Sequence, residues 1–375
     1  MWVQTKIAGG QRPPWYSSTL WHTMSVGGWW RFLRAHRFRL AARKLPLAAS
    51  ITFYTINNSV LGLLQSAIYG SRVRRTCIER DPIFILGHWR SGTTHLHELL
   101  ALDVNFTAPT TYECVTPRHF LLTDRLYPAL LSWVVPSKRA FDNMELGFQR
   151  PQEDELALVA LGVPSPMWTA GYPDDTVGQA YLTLLGVSVR ERRRWEDAFT
   201  QFLRRVTYRH PGRPLLLKSP GHTARLQLLQ ELFPAARYLH IVRNPYQVFA
   251  STVHLWQKVI DFNGLVRPDP DRLERKVLQT LQQMYEGFDR ARASLPDGCF
   301  HQLRYEDLIR DPMTTLESCY AALALGDIAR VAPRVMAYLS GRRDYRPNEY
   351  EISAEGKAAV RQAWGPIFSK WGYEI

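Results

Sequence analysis

Residues 82–94 decide the fold, and they read Pro82-Ile83-Phe84-Ile85-Leu86-Gly87-His88-Trp89-Arg90-Ser91-Gly92-Thr93-Thr94. The apolar run at 83–86 is short, continuous and followed by glycine, which is typical of a parallel strand that is buried on both faces. A helix is expected to follow through residues 95–100. The stretch therefore predicts a strand, a glycine-rich turn and a helix in direct succession.

The turn has the spacing of a phosphate-binding loop. Gly87 and Gly92 give the pattern G-x-x-x-x-G, which matches the phosphate loop of P-loop nucleotide hydrolases. Glycines let successive backbone N–H groups point inward, and the following helix N-terminus adds a partial positive charge. Thr93 stands where those enzymes have the lysine that reaches the β- and γ-phosphates, and no acidic magnesium ligand is evident after a later strand. We therefore expect the loop to bind one phosphate, with Arg90 as an additional cation.

A second anion site is predicted further along the chain. Arg243 follows an apolar run at 238–242, and Ser251 lies eight residues later on the next predicted helix. Ligands of open α/β sheets bind at the carboxyl ends of the strands, so Arg243 and the phosphate loop should face one crevice. Two separate phosphate sites without a magnesium site suit an adenosine that carries phosphates at both its 3′ and 5′ positions.

The remaining elements indicate an α/β fold of the three-layer P-loop type with a central parallel sheet, because strands and helices alternate. Further strands are predicted at residues 215–217, 238–242 and 300–304. Further helices are predicted at residues 223–233, 272–294, 313–325 and 354–364.

These motifs resemble those of the sulfotransferases that use 3′-phosphoadenosine-5′-phosphosulfate (PAPS), most closely the tyrosylprotein sulfotransferase branch and related bacterial enzymes. Residues 217–220 (Leu-Lys-Ser-Pro) and 304–308 (Arg-Tyr-Glu-Asp-Leu) add to the likeness, which covers roughly residues 82–375. The resemblance implies PAPS as the donor, no metal, and Glu113 as the catalytic base. It places Lys218 at the bridging oxygen and Tyr305 against the nucleotide. It assigns the 5′-phosphosulfate to Arg90, Ser91, Gly92, Thr93 and Thr94, and the 3′-phosphate to Arg243 and Ser251.

Other bases and other functions remain open at this stage. Glu153 and Asp154, in a run of three acids before an apolar helix, are competing bases, although such acids also suit the first turn of a helix. His88, His95 and His222 are further candidates. The alternatives to a sulfotransferase are a kinase that uses ATP and magnesium, or a non-catalytic protein that binds a nucleotide or acts as a membrane scaffold.

The positive charge of the chain lies almost entirely in its first part. Of the total of +13, residues 1–80 contribute +11, with twelve Lys/Arg and the single acid Glu79. This distribution argues against nucleic acid as a partner, because a nucleic-acid-binding domain usually carries a basic face on the fold itself. Arginines and aromatic residues between 29 and 75 favour an anionic membrane surface instead. We predict a helical N-terminal segment at 1–80 and the catalytic domain at 81–375.

The uncharged run at residues 45–71 is long enough to span a bilayer, but eight polar residues interrupt it. It therefore predicts a span, a hairpin on the membrane surface, or a helical pair that packs against the domain. The four cysteines, Cys77, Cys114, Cys299 and Cys319, suggest neither a zinc site nor disulfides and fit a reducing compartment. We expect a cytoplasmic protein at the periphery of the membrane, with a small-molecule, glycan or lipid acceptor. The sequence does not indicate the oligomeric state.

Overall fold

The computed structural model describes residues 2–5, 19–127, 147–266, 269–341 and 350–374. The strands are β1 (Val3–Thr5), β2 (Ile83–Leu86), β3 (Leu216–Lys218), β4 (Arg237–Val242), β5 (Phe300–Arg304) and β6 (Tyr350–Ile352). The helices up to the third strand are α1 (Val26–Ala35), α2 (Leu45–Arg75), α3 (Thr93–Leu100), α4 (Thr111–Val115), α5 (Phe120–Thr123), α6 (Glu155–Ala160), α7 (Val177–Ala180) and α8 (Val189–Arg209). The later helices are α9 (Gly221–Ala224), α10 (Leu226–Leu232), α11 (Pro245–Asn263), α12 (Pro270–Arg292), α13 (Tyr305–Arg310), α14 (Pro312–Ala322), α15 (Ala332–Ser340) and α16 (Ala354–Trp371).

The central sheet has four parallel strands in the order β3-β2-β4-β5. Ile83 of β2 pairs with Leu216 of β3 on one side and with Arg237 of β4 on the other. Strands β1 and β6 form a separate antiparallel pair. Because the four central strands are parallel, their carboxyl ends meet at one edge of the sheet, and the loops that follow them converge there.

Helices cover both faces of the sheet. Alternate residues of β2 enter different cores, with Phe84 and Leu86 on one face and Ile83 and Ile85 on the other. The larger core includes side chains from α8, α11, α12 and α16, and the smaller one from α3, α14 and α15. The result is three layers, which confirms the predicted α/β class with a central parallel sheet.

The sequence located the elements well, although some boundaries differ. The predicted helix at 223–233 is divided between α9 and α10 at Arg225, whose buried guanidinium donates to the carbonyl of Tyr181. The helix predicted to end at 364 continues to residue 371 through Pro366. Phe368 and Trp371, which are buried in the larger core, account for this extension.

The N-terminal segment packs onto the larger core. Trp21 and Phe32 are fully buried there with their rings stacked at 4.3 Å, and the Trp21 indole donates to the carbonyl of Asn263. Residues 2–5 include β1, and residues 6–18 lie outside the described part of the chain. The domain boundary at residue 81 stays a prediction.

Residues 45–71 belong to one continuous helix, α2, rather than to a hairpin within that run. Its polar side chains contact the protein: Asn58 donates to the carbonyls of His22 and Met24, and Gln65 accepts from the amide of Leu121. Most of its large apolar side chains face outward, and Leu63 is 73% exposed, whereas Ile51 is buried. The outward-facing apolar residues of α2 are Leu45, Phe53, Ile56, Val60, Leu63, Leu64 and Ile68. By length and composition alone, this helix could cross a membrane.

Candidate functional site

The phosphate loop connects β2 to α3 and depends on glycine at two positions. Gly87 has φ +148°, and Gly92 has φ +102°. A Cβ at Gly92 would lie 2.3 Å from the Tyr305 ring, and a Cβ at Gly87 would lie 2.7 Å from the carbonyl oxygen of Ile241. Thr223 anchors the loop, because its hydroxyl accepts from the Gly87 amide at 2.8 Å. The loop is therefore held tightly against β4 and Tyr305, in a conformation that other residues would strain.

The helix that follows the loop begins without any side-chain cap. Gly92 is its N-cap, and the first turn of α3 contains no acid. The first amides of a helix have no partner within the helix, and here no neighbouring carboxylate of the first turn competes for them. Together with the helix dipole, these amides make the loop suited to an anion.

Arg90 joins the phosphate loop to the second predicted anion site. Its backbone lies in the left-handed region, with φ +68°. Its Nε donates to Ser251 Oγ at 2.9 Å, and its carbonyl oxygen accepts from Arg243 Nη1 at 3.2 Å. The Arg243 guanidinium also lies over the Tyr305 ring, 4.3 Å from its centroid. The structure thus brings together Arg90, Arg243, Ser251 and Tyr305, which lie far apart in sequence.

Local capping explains why Arg243 and Ser251 face the loop. Asn244 caps α11 by accepting from the amides of Tyr246 and Gln247, and Pro245 occupies the first turn. This cap directs α11 away from the end of β4, so that Arg243 lies at the sheet edge. Ser251 lies further along α11 and also contacts the Tyr350 hydroxyl at 3.3 Å.

Lys218 ends β3 at the same edge, and its ammonium group is buried. Its Nζ lies 2.6 Å from Glu153 Oε1 and 3.3 Å from Thr94 Oγ1. Thr94 lies in the first turn of α3, directly after the glycine-rich turn. A cation, a carboxylate and a hydroxyl therefore meet beside the phosphate loop, where a reacting group at its mouth would be within reach.

The three acids at 153–155 contact three different basic residues. Glu153 pairs with Lys218, Asp154 Oδ2 lies 2.5 Å from His222 Nε2, and Glu155 forms two hydrogen bonds with Arg225. Burial would raise the pKa of Glu155, but Arg225 outweighs that effect and the pKa is lowered. These acids are therefore more than favourable charges in a first helical turn, since they fix the segment that contains Lys218.

Glu113 lies in a different environment from Glu153. Its Oε2 accepts from the Thr110 amide and hydroxyl in the capping box of α4, and its Oε1 lies 3.4 Å from His210 and 3.6 Å from Arg209. Its side chain is 2% exposed, whereas that of Glu153 is 18% exposed. The structure thus joins Lys218 to Glu153. The role of Glu113 as the base stays a prediction.

Two of the three histidine candidates, His88 and His222, are buried and therefore less suited to proton transfer at the crevice, whereas a role for His95 on α3 stays a prediction. His88 is buried, its Nδ1 contacts the carbonyl of Trp89, and burial lowers its pKa to about 4. His222 is fully buried against Asp154. In the part of the chain that the structure describes, no group of three His, Cys, Asp or Glu side chains is arranged to hold a metal ion.

Sequence reasoning missed several contacts that shape the site. The hydroxyl of Thr223 closes the turn at Gly87, Thr252 donates to the carbonyl of Trp89, and Tyr350 contacts Ser251. Thr223 and Thr252 lie close in sequence to Lys218 and Ser251, which is the only signal that pointed to them.

The sequence matches one described family and several characterised relatives. The sequence model of the family described as "Sulfotransferase family" matches residues 82–327. The chain is 40% identical, over 360 residues, to the omega-hydroxy-beta-dihydromenaquinone-9 sulfotransferase Stf3 of Mycobacterium bovis and to that of Mycobacterium tuberculosis. Each match covers 96% of this chain and 92% of the relative.

Solved structures show the same fold at lower identity. Sulfotransferase STF1 from Mycobacterium tuberculosis superposes with a TM-score of 0.66 at 18% identity, over 89% of this chain and 90% of that one. Sulfotransferase STF9 from Mycobacterium avium gives 0.68 at 21% identity, over 94% and 98%.

Proposed function

The chain belongs to the sulfotransferase family, and from that premise we propose that it transfers the sulfuryl group of PAPS to a hydroxyl of a long, lipophilic acceptor. Family membership favours a sulfotransferase over the kinase and the non-catalytic scaffold, and it supports PAPS as the donor. The observation that carries the proposal is the chain of contacts from Arg243 through Arg90 to Ser251, with Lys218 beside the same loop.

The residues at the sheet edge fit the donor. The tight turn at Gly87 and Gly92, where a Cβ would clash with Ile241 and Tyr305, suits one phosphate on backbone amides. We assign the 5′-phosphosulfate to Arg90 with residues 91–94, and the 3′-phosphate to Arg243 and Ser251. The guanidinium group of an arginine can donate two parallel hydrogen bonds to the oxygens of one phosphate, which suits Arg243 to the 3′-phosphate. Tyr305 presents its ring beside Arg243 and is assigned to the nucleotide.

The proposed reaction is an in-line displacement at sulfur. The acceptor oxygen forms a bond to sulfur while the bond from sulfur to the phosphate oxygen breaks. That oxygen keeps the electron pair, leaving adenosine 3′,5′-bisphosphate (PAP). Lys218 stabilises the charge that develops on the leaving oxygen, and the loop amides share it. The hydroxyl proton passes to a carboxylate.

We propose Glu153 as that carboxylate, ahead of Glu113. A general base must lie within hydrogen-bond reach of the proton that it removes. Glu153 contacts Lys218, the residue assigned to the leaving oxygen, and is the more exposed of the two. Glu113 is already engaged by Thr110 in the helix cap. Glu113 remains the competing assignment.

The acceptor class follows from the relatives and from α2. The relatives at 40% identity are named for a hydroxylated menaquinone derivative, a lipophilic alcohol. We infer an acceptor of that class, a terminal hydroxyl on a long isoprenoid chain. The outward apolar face of α2 and the arginines at its C-terminal end suit a peripheral position on an anionic, cytoplasmic membrane surface, where such an acceptor would be found.

Calorimetric titration with PAP tests the donor site. The wild-type chain should bind PAP without added metal. Arg243→Ala should weaken binding by about 3 kcal/mol, or on the order of 100-fold, because it removes the charge that faces the 3′-phosphate. Arg237→Ala, at the opposite end of the same strand, is the matched control and should bind PAP as the wild type does. Equal affinities for the two variants would contradict the assignment.

A further inference from the structure

Four arginine side chains line a pocket of about 390 Å³ beside α2, away from the carboxyl edge of the sheet. Arg31 lies on α1, Arg118 lies just before α5, and Arg194 and Arg205 lie on α8. Ser66 of α2 and Gln201 of α8 add polar groups to the lining. Neither the proposed reaction nor its donor site uses any of these residues.

The positive charge of this arginine pocket is not balanced nearby. Within the described ranges, none of the four guanidinium groups forms an ion pair with a carboxylate. Burial and repulsion from Arg194 and Arg118 lower the pKa of Arg31 to about 10, and burial and repulsion from Arg118 lower that of Arg205 to about 10. Arg31 and Arg205 both stay protonated at neutral pH, so the repulsion persists in the folded protein.

Structural roles account for only part of this cluster. Arg31 donates to the carbonyl of Gly162 through Nε and Nη2, at 3.3 and 3.2 Å, and Arg205 donates to the carbonyl of Pro117 at 3.3 Å. The Nε of Arg118, in contrast, is buried without a hydrogen-bond partner. A buried donor without an acceptor costs free energy, which an anionic oxygen in the pocket would recover.

An acid in the same region, Glu191, is engaged elsewhere. Glu191 contributes to the electrostatics of Tyr181, as do Arg194 and Arg31, so it lies in the same region. Its carboxylate already accepts from the amide and hydroxyl of Ser188 in the capping box of α8. The charge of the four arginines is therefore available to a ligand.

We propose that the arginine pocket binds a phosphate group, carried either by the headgroup of an anionic lipid or by a small soluble phosphate. Guanidinium groups recognise phosphate through paired N–H donors, and several arginines together match its multiple charge. Ser66 lies one helical turn after Leu63, which belongs to the outward apolar face of α2, so the pocket adjoins that face. A lipid whose tail lies along that face would bring its phosphate to the pocket.

The pocket is separate from the reaction site. Helix α6 begins next to Glu153, and residues 161 and 163 just beyond its end line the pocket. Six helical residues span roughly 9 Å, so occupation of the pocket need not displace the donor.

The test uses the full chain saturated with PAP, so that the phosphate loop is filled. Two probes are applied: pyrophosphate by calorimetry, and phosphatidylcholine vesicles with and without phosphatidic acid by co-sedimentation. Arg118→Gln/Arg194→Gln should weaken the binding of at least one probe about tenfold or more. Arg310→Gln/Arg330→Gln is the control, because it removes the same charge from exposed positions outside the pocket.

The pattern of loss identifies the source of the phosphate. A loss confined to pyrophosphate assigns a soluble phosphate, and a loss of the binding that depends on phosphatidic acid assigns a lipid headgroup. If the pocket variant binds both probes as the control does, the proposal is wrong. Arg194→Gln alone, at an exposed position, gives the same test should the double variant fail to fold.

Discussion

Three adjacent acids each pair with a basic residue that lies more than sixty positions later in the sequence. The pairs are Glu153 with Lys218, Asp154 with His222, and Glu155 with Arg225. Glu155 and Arg225 are almost fully buried, and removing one partner of such a pair typically destabilises a protein by about 3–5 kcal/mol. The more accessible pair, Glu153 with Lys218, lies at the phosphate loop. The inner pairs thus hold the backbone while the outer pair remains available for chemistry.

Glu153→Gln and Glu113→Gln distinguish the two candidate bases. We expect Glu153→Gln to lower kcat by roughly 10²–10⁴-fold with little change in PAP affinity, because it removes the proton acceptor and retains the shape. Glu113→Gln should chiefly weaken the cap of α4, at about 1 kcal/mol of unfolding free energy. Steady-state kinetics and urea unfolding measure the two effects.

Normal turnover in Glu153→Gln together with loss of turnover in Glu113→Gln would instead assign the catalytic base to Glu113. The pH–rate profile provides a second readout, since loss of the base should remove the acidic limb of the profile.

The sequence could predict some of these residues and not others. Arg90, Gly92, Arg243 and Ser251 belong to local motifs whose spacing is visible along the chain, and the structure brings them together at one edge. The contact between Glu153 and Lys218 joins residues from separate segments. No local pattern encodes such a contact, so the sequence left Glu113, Glu153 and Asp154 as alternatives.

At the scale of elements, α2 reverses the usual arrangement of a surface helix. A helix on a water-soluble core normally buries its apolar stripe. Here Thr55 and Gln65 are buried, whereas Phe53, Leu63 and Ile68 are exposed. Large exposed apolar patches mark interaction sites, and the basic residues at the end of this helix suit an anionic surface.

Leu63→Asn/Ile68→Asn should therefore weaken vesicle binding at least about tenfold, because two apolar side chains no longer enter the bilayer. Stability should change little, since both side chains are exposed. Ile309→Asn/Met336→Asn is the matched control, because these exposed apolar residues lie on α13 and α15. Vesicle co-sedimentation measures the effect, and equal binding by both variants would contradict a membrane role for α2.

Elements were predicted better than the way they pack. The four central strands were located to within about a residue, because buried parallel strands are short apolar runs bounded by turn signals. The direction in which α2 faces could not be read in the same way. The polar residues of α2 interrupt its apolar run, so the sequence shows no clear apolar stripe along one face of the helix. The contacts of α2 with residues 20–35 and 118–121 show which side is buried.

At the scale of the whole molecule, three buried histidines link stability to pH. Burial lowers the pKa of His88 and of His119 to about 4, and that of His240 to about 3. In the unfolded chain each would titrate near 6.5. Below that value the unfolded state binds more protons than the folded state, so stability falls as the pH falls toward 4.

Between pH 7 and pH 5.5 we therefore expect the unfolding free energy to drop by about 1 kcal/mol for each of these histidines. Urea unfolding across that range measures the slope. His240→Phe should make the dependence of the unfolding free energy on pH shallower by the contribution of one proton. This change in slope is expected even if the substitution also alters the stability itself. An unchanged slope in that variant would show that His240 is not neutral in the folded state.

The most direct test of the account is transfer of radiolabelled sulfate from PAPS, in vesicles, to two matched acceptors. One is an isoprenoid quinone with a terminal hydroxyl on its side chain, and the other is the same quinone without that hydroxyl. We predict labelled product from the hydroxylated acceptor alone. The Lys218→Ala variant should form no labelled product. Labelling of both acceptors alike, or no labelling by a chain that binds PAP, would contradict transfer to a lipophilic alcohol.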